Sequence, residues 1–188
     1  MATAELSRQA TSRRWLPKGL LRLWLYAYAA IWTTTLLLAT AVWIVGGEVA
    51  AEARRVFVRV QLNPPPHVGH VLTLAAHNIP IFSWPLLLGL WGAHRSRRST
   101  RVADGLLLAW AIANAAPVGF ELGAYGTVLL PYLPNLPVEW AGMALGASGW
   151  LTQRRQALTV REGLAMFALI AVVLVCAAVL ETFAVPHR

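Results

Sequence analysis

Apolar residues along this chain fall in blocks about twenty residues long, separated by short polar or basic segments. Because a helix rises 1.5 Å per residue, a block of about twenty crosses roughly 30 Å of hydrocarbon. The pattern therefore predicts an all-α, polytopic membrane helix bundle of about five transmembrane helices. The predicted spans cover residues 20–46, 67–93, 102–125, 138–151 and 163–185.

The fourth predicted helix is short and follows a proline-rich stretch. Pro131, Pro134 and Pro137 interrupt residues 126–137, and proline lacks the amide that a helix interior needs. We therefore expect an outer loop or a re-entrant dip there. Residues 138–151 reach only about 21 Å at 1.5 Å per residue, so a full crossing by this helix stays open.

Basic residues set the predicted orientation. With the amino terminus inside, twelve of the sixteen lysines and arginines fall in cytoplasmic segments, as the positive-inside rule requires. The exceptions are Arg54, Arg55, Arg59 and Arg188. We therefore expect a cytoplasmic basic segment at residues 1–19, one membrane domain at residues 20–188, and an external carboxyl terminus.

Two segments near the first span carry alternative interpretations. Residues 48–62 place apolar and charged side chains on different helical faces, which predicts an amphipathic outer segment; a solvated connector is the alternative. Residues 12–16 resemble a twin-arginine export signal, and residues 51–53 resemble a cleavage site. An uncleaved first helix explains the same residues, since everything downstream is also membrane-spanning.

Composition excludes several classes of protein. With 57% hydrophobic and only 13% charged residues, the chain is unlike a soluble domain, in which about a quarter of residues are charged. The net charge of +8 lies in clusters between apolar blocks, so we expect no nucleic-acid partner. The sequence contains no phosphate-binding glycine loop, nucleophile elbow or zinc-protease signature, so we expect no enzymatic activity.

Six polar residues in or near the predicted spans are candidates for a functional site. Acids at such positions are costly and mark functional sites or polar pairs, and three acids fall near the outer ends of different helices. They predict an outward-facing polar pocket, with hydrogen bonding between helices as the alternative. For Glu139, stabilisation of a helix amino terminus is a further alternative. The candidate residues are His77, Asn78, Asn114, Glu121, Glu139 and Glu181.

Glycine and histidine spacings predict packing more than chemistry. Gly119 with Gly123, and Gly142 with Gly146, form small-xxx-small patterns that allow helices to approach closely. His70 and His77 share a helical face, but a metal or haem also needs a ligand from another helix. No histidine or cysteine pair has a recognisable spacing. We therefore expect no metal and no cofactor.

Three segments resemble the stage II sporulation protein M family of bacterial integral membrane proteins. Residues 77–92 begin His-Asn-Ile-Pro and end in glycine; residues 130–149 carry prolines, Glu139 and a glycine-rich helix; residues 177–186 close with apolar residues, glutamate, an aromatic residue and proline. The family often has histidine just after the loop proline, whereas this chain has Tyr132 after Pro131 and Asn135 after Pro134.

The resemblance implies a multi-pass protein of the bacterial cytoplasmic membrane. In spore formers the family works with peptidoglycan-degrading partners during engulfment. We expect a non-enzymatic scaffold that contacts the lipid bilayer and binds other membrane or envelope proteins. A transporter or permease subunit, and an accessory subunit of a respiratory or photosynthetic complex, are the alternatives. Self-association of the chain stays open.

Overall fold

The computed structural model describes residues 15–47, 66–90, 92 and 96–184. This part of the chain is all-helical, which confirms the predicted class, and contains no strand. Residues 1–14 of the predicted basic segment 1–19, and the whole of the predicted amphipathic segment 48–62, lie outside the described residues. The helices are α1 (Leu20–Val45), α2 (Val68–Leu90), α3 (Arg97–Tyr125), α4 (Leu136–Gln153) and α5 (Val160–Phe183), with 3-10 turns at Gly126–Val128 and Leu130–Tyr132.

Four of these helices, α1, α2, α3 and α5, are long and apolar enough to cross a membrane. Helix α4 is not among them in the part of the chain that the structure describes. Its 18 residues reach about 27 Å at 1.5 Å per residue, and Glu139 and Gln153 interrupt its apolar sequence. Four membrane-spanning helices make this a multi-pass membrane protein.

Capping residues, which an apolar pattern does not reveal, determine where the helices begin. The side chain of Ser96 accepts a hydrogen bond from the Ser99 amide, so α3 begins within the basic loop, before its apolar run. Thr159 and Glu162 form a reciprocal capping box that begins α5 three residues earlier than its apolar run. Pro137 lies in the first turn of α4, where its missing amide costs no hydrogen bond.

Helix α4 forms the centre of the bundle and packs against α1, α2 and α5. Residues 142–150 are all buried. A Cβ atom added at Gly142 would lie 2.8 Å from the Leu174 side chain, and one at Gly146 would collide with the carbonyl oxygen of Phe82. These glycines therefore allow α5 and α2 to approach the backbone of α4.

Helix α3 packs mainly against α1. A Cβ atom at Gly119 would lie 2.8 Å from the carbonyl oxygen of Thr35, and one at Gly123 would lie 2.5 Å from that of Ala39. All four glycines predicted to mediate packing thus lie against a neighbouring helix.

Aromatic residues of α1 attach it to α4. The indole Nε1 of Trp24 donates to the carbonyl oxygen of Ala141 at 3.0 Å, and the Tyr28 hydroxyl donates to that of Pro137 at 3.2 Å. Helix α4 therefore begins beside the first half of α1, well before the carboxyl-terminal end of that helix.

Candidate functional site

A group of polar side chains lies where α2, α4 and α5 meet, at the amino-terminal end of α4. Asn78 Nδ2 donates to Glu139 Oε1 at 2.8 Å. Asn135 Nδ2 donates to Glu181 Oε2 at 3.2 Å and contacts Glu139 Oε2 at 3.5 Å. Asn78, Asn135, Glu139 and Glu181 are called the polar cluster below. It joins three helices through side-chain hydrogen bonds.

Local sequence explains how α4 supplies two members of the polar cluster. Asn135 directly precedes the helix, and Glu139 follows it by four residues, so both fall on one helical face. The backbone amide of Glu139 donates to the Asn135 carbonyl oxygen at 2.9 Å. An acid in the first turn also interacts favourably with the helix dipole. The position of Glu139 is therefore compatible with both interpretations, an interaction with the helix dipole and membership of the polar cluster.

The polar cluster contains two half-buried carboxyl groups, Glu139 and Glu181, that share the Asn135 side chain. His70 on α2 lies near Glu181. Asn135 is 7% exposed, and its Oδ1 has no hydrogen-bond partner among the described residues. The cluster is thus rich in oxygen acceptors that can bind protons or polar donors.

Three of the six predicted pocket residues do not join the polar cluster. His77 is exposed, although it is the neighbour of Asn78. Asn114 donates to the carbonyl oxygen of Trp110 in its own helix, at 2.8 Å. Glu121 is exposed on α3, which packs against α1. The structure therefore brings together half of the predicted residues, because depth in a helix does not determine which side of it faces a partner.

Sequence reasoning did not assign Asn135 and His70 to the pocket. Asn135 was expected in an outer loop or a re-entrant dip, and its side chain is buried. Its position four residues before Glu139 was the available signal, since residues four apart share a helical face. His70 precedes Asn78 by eight residues, which places the two about 80° apart around α2.

The middle of α4 separates the polar cluster from a second polar group at the opposite end of the helix. There, Asp104 accepts a hydrogen bond from Trp150 Nε1 at 2.9 Å and pairs with Arg154 at 3.3 Å. Gln153 donates to the carbonyl oxygen of Leu86 at 3.1 Å. Between the two polar groups lie apolar side chains with no exposed area: Leu86, Met143, Met166, Ile170 and Leu174.

Within the described ranges, no group of three or more His, Cys, Asp or Glu side chains is placed to hold a metal ion. His67 and His70 do contact each other, and the His70 amide donates to His67 Nδ1 at 3.1 Å. That contact is local to the beginning of α2.

No protein family, curated protein or solved structure matches this chain. The resemblance to the stage II sporulation protein M family therefore stays a prediction from sequence motifs. The motif segments 77–92, 130–149 and 177–186 nevertheless meet in space, since each contributes at least one residue to the polar cluster.

Proposed function

We propose that this chain is a non-enzymatic scaffold of the bacterial cytoplasmic membrane that binds other membrane or envelope proteins. In this proposal the amino terminus lies inside, and segment 126–135 together with α4 makes the fifth crossing of the bilayer. Support comes from the meeting of the three family-like segments in the polar cluster, where they join three helices. A structural contact between the three segments accounts for these motifs without any catalytic role.

The observation that carries the proposal is the apolar core between the two polar ends of α4. Leu86, Met143 and Met166 are fully buried there. A path for ions or polar solutes needs polar groups or water along its depth, and this core interrupts such a path through the described bundle. In this proposal the polar cluster is a set of interhelical hydrogen bonds that determines how α2, α4 and α5 pack together.

A transporter or permease subunit is the second candidate. Its support is the pair of half-buried acids, Glu139 and Glu181, within a membrane helix bundle, since such acids commonly bind protons or ions. In this alternative the apolar core would have to open during a transport cycle.

Two measurements on the same preparation separate these candidates. The chain, tagged at its chromosomal copy and extracted in mild detergent, is expected to retain another envelope protein in near-stoichiometric amount, and an untagged strain should not yield that protein. Purified chain in liposomes is expected to show no proton or cation flux above that of empty liposomes. A flux above that of empty liposomes that falls in the Glu139→Gln/Glu181→Gln variant, together with no retained partner, would support the transporter and contradict the scaffold.

A further inference from the structure

An apolar groove runs between the beginnings of α1 and α5, and α4 lines one part of it. One part, of about 490 Å³, is lined by Leu20 and Trp24 of α1, Leu145 of α4 and Leu169 of α5, among others. A second part, of about 890 Å³, lies between Trp15 and the first turns of α5. Leu16 and Leu169 line both parts, so the groove is continuous. We call it the α1–α5 groove.

The length of the α1–α5 groove matches one leaflet of a membrane. Its lining on α5 extends from Val160 to Val173, which is about 20 Å at 1.5 Å per residue. Half of a hydrocarbon core is roughly 15 Å thick. A lipid acyl chain can therefore lie along the groove with its headgroup at the membrane surface.

Two basic residues lie along the α1–α5 groove, one on α5 and one just before α1. Arg161 lines the groove, and its guanidinium carbon lies 3.5 Å from the centre of the Trp15 ring. Lys18 is exposed between the lining residues Pro17 and Gly19. The described lining residues include no acid. Guanidinium and ammonium groups beside an apolar cleft suit a phosphate headgroup.

A second groove, between α1 and α3, differs in charge. It measures about 250 Å³, and its charged lining residue is Asp104, which pairs with Arg154. Both grooves are apolar, so we expect the basic residue of one and the acidic residue of the other to determine which lipid headgroups they bind.

We propose that the α1–α5 groove binds an anionic membrane phospholipid, with an acyl chain along α4 and the phosphate at Arg161. This binding site does not depend on the scaffold proposal, since it rests on groove shape and charge alone. The lipid would fill the gap that α1 and α5 leave over α4.

Native mass spectrometry of the purified chain, extracted from membranes of equal phosphatidylglycerol and phosphatidylcholine content, tests the proposal. Phosphatidylglycerol is expected to remain bound in preference to phosphatidylcholine. Arg161→Gln should lower its retention about fivefold, the factor expected from one basic residue near a membrane surface. Ala168→Trp should lower it as well by filling the groove at an exposed lining position.

Two control variants match these changes. Arg101→Gln removes an equal charge at the beginning of α3, and Ala30→Trp fills the α1–α3 groove at an exposed position. Both should retain phosphatidylglycerol, as should Arg161→Lys, and excess inorganic phosphate should not displace it. Equal retention of the two lipids, an Arg101→Gln effect as large as that of Arg161→Gln, or normal retention in a folded Ala168→Trp variant would overturn the proposal.

Discussion

Asn78 on α2 donates a hydrogen bond of 2.8 Å to Glu139 on α4. Glu139, the acceptor, lies in the first turn of α4. Asn78, the donor, lies near the middle of α2, which contains two prolines. This bond connects segments 61 residues apart. Among the described residues, it is the only side-chain hydrogen bond that joins α2 to the rest of the polar cluster.

Loss of the Asn78 amide should destabilise the bundle. Asn78→Leu leaves Glu139 Oε1 without its donor in a half-buried position, and an unpaired polar atom of this kind costs about 1–3 kcal/mol. The free energy of unfolding, measured by SDS titration in mixed micelles, should fall by that amount. His77→Leu changes the exposed neighbour and should stay within about 0.5 kcal/mol of the parent chain. Equal losses in both variants would contradict the role of this bond.

The two acids of the polar cluster should be energetically coupled. Glu139→Gln and Glu181→Gln each replace one of the two carboxyl groups that share Asn135, so the second substitution should have a different effect once the first is present. We expect a coupling energy of roughly 0.5–3 kcal/mol in a double-mutant cycle of unfolding. Glu121→Gln with Glu181→Gln supplies the comparison, and those effects should add within about 0.5 kcal/mol. Additivity in both cycles would argue against the cluster.

Two glycine substitutions should act in opposite directions. Gly146→Ala places a Cβ atom against the Phe82 backbone and should cost about 1–3 kcal/mol through overpacking. Gly105→Ala lies in the interior of α3 with nothing within 4 Å of the added atom, so it should stabilise the chain by up to about 1 kcal/mol. Thermal unfolding in one detergent compares the two. A gain for Gly146→Ala would disprove the close α2–α4 contact.

Membrane orientation can be measured with single cysteines outside the buried core. In a Cys176→Ala background, Ser99→Cys and Gln156→Cys should react with an impermeant thiol reagent only after the cells are permeabilised. Thr127→Cys should react in intact cells. Gln156 and Thr127 are exposed and Ser99 is half-buried, whereas Gln153 and Asn135 are buried and would label poorly on either side. Labelling of Ser99→Cys in intact cells would refute the orientation with the amino terminus inside.

Much of the architecture follows from the one-dimensional pattern. Apolar blocks of membrane-spanning length predicted α1, α2, α3 and α5, because a helix is the simplest structure that satisfies its own backbone in lipid. The small-xxx-small spacing likewise indicated which glycines contact other helices. The residues at which α3 and α5 begin were harder to predict, because Ser96 and Thr159 cap these helices through local side-chain hydrogen bonds.

The sequence by itself determined that the chain is a multi-pass helical protein with acids near helix ends, because length, hydropathy and helical periodicity are properties of single segments. Only the tertiary structure decided which acids meet. Glu139 and Glu181 share Asn135 because α4 is enclosed by α2 and α5, while Glu121 is excluded because α3 packs against α1. Those neighbours depend on the direction in which each helix faces within the bundle, which no single segment encodes.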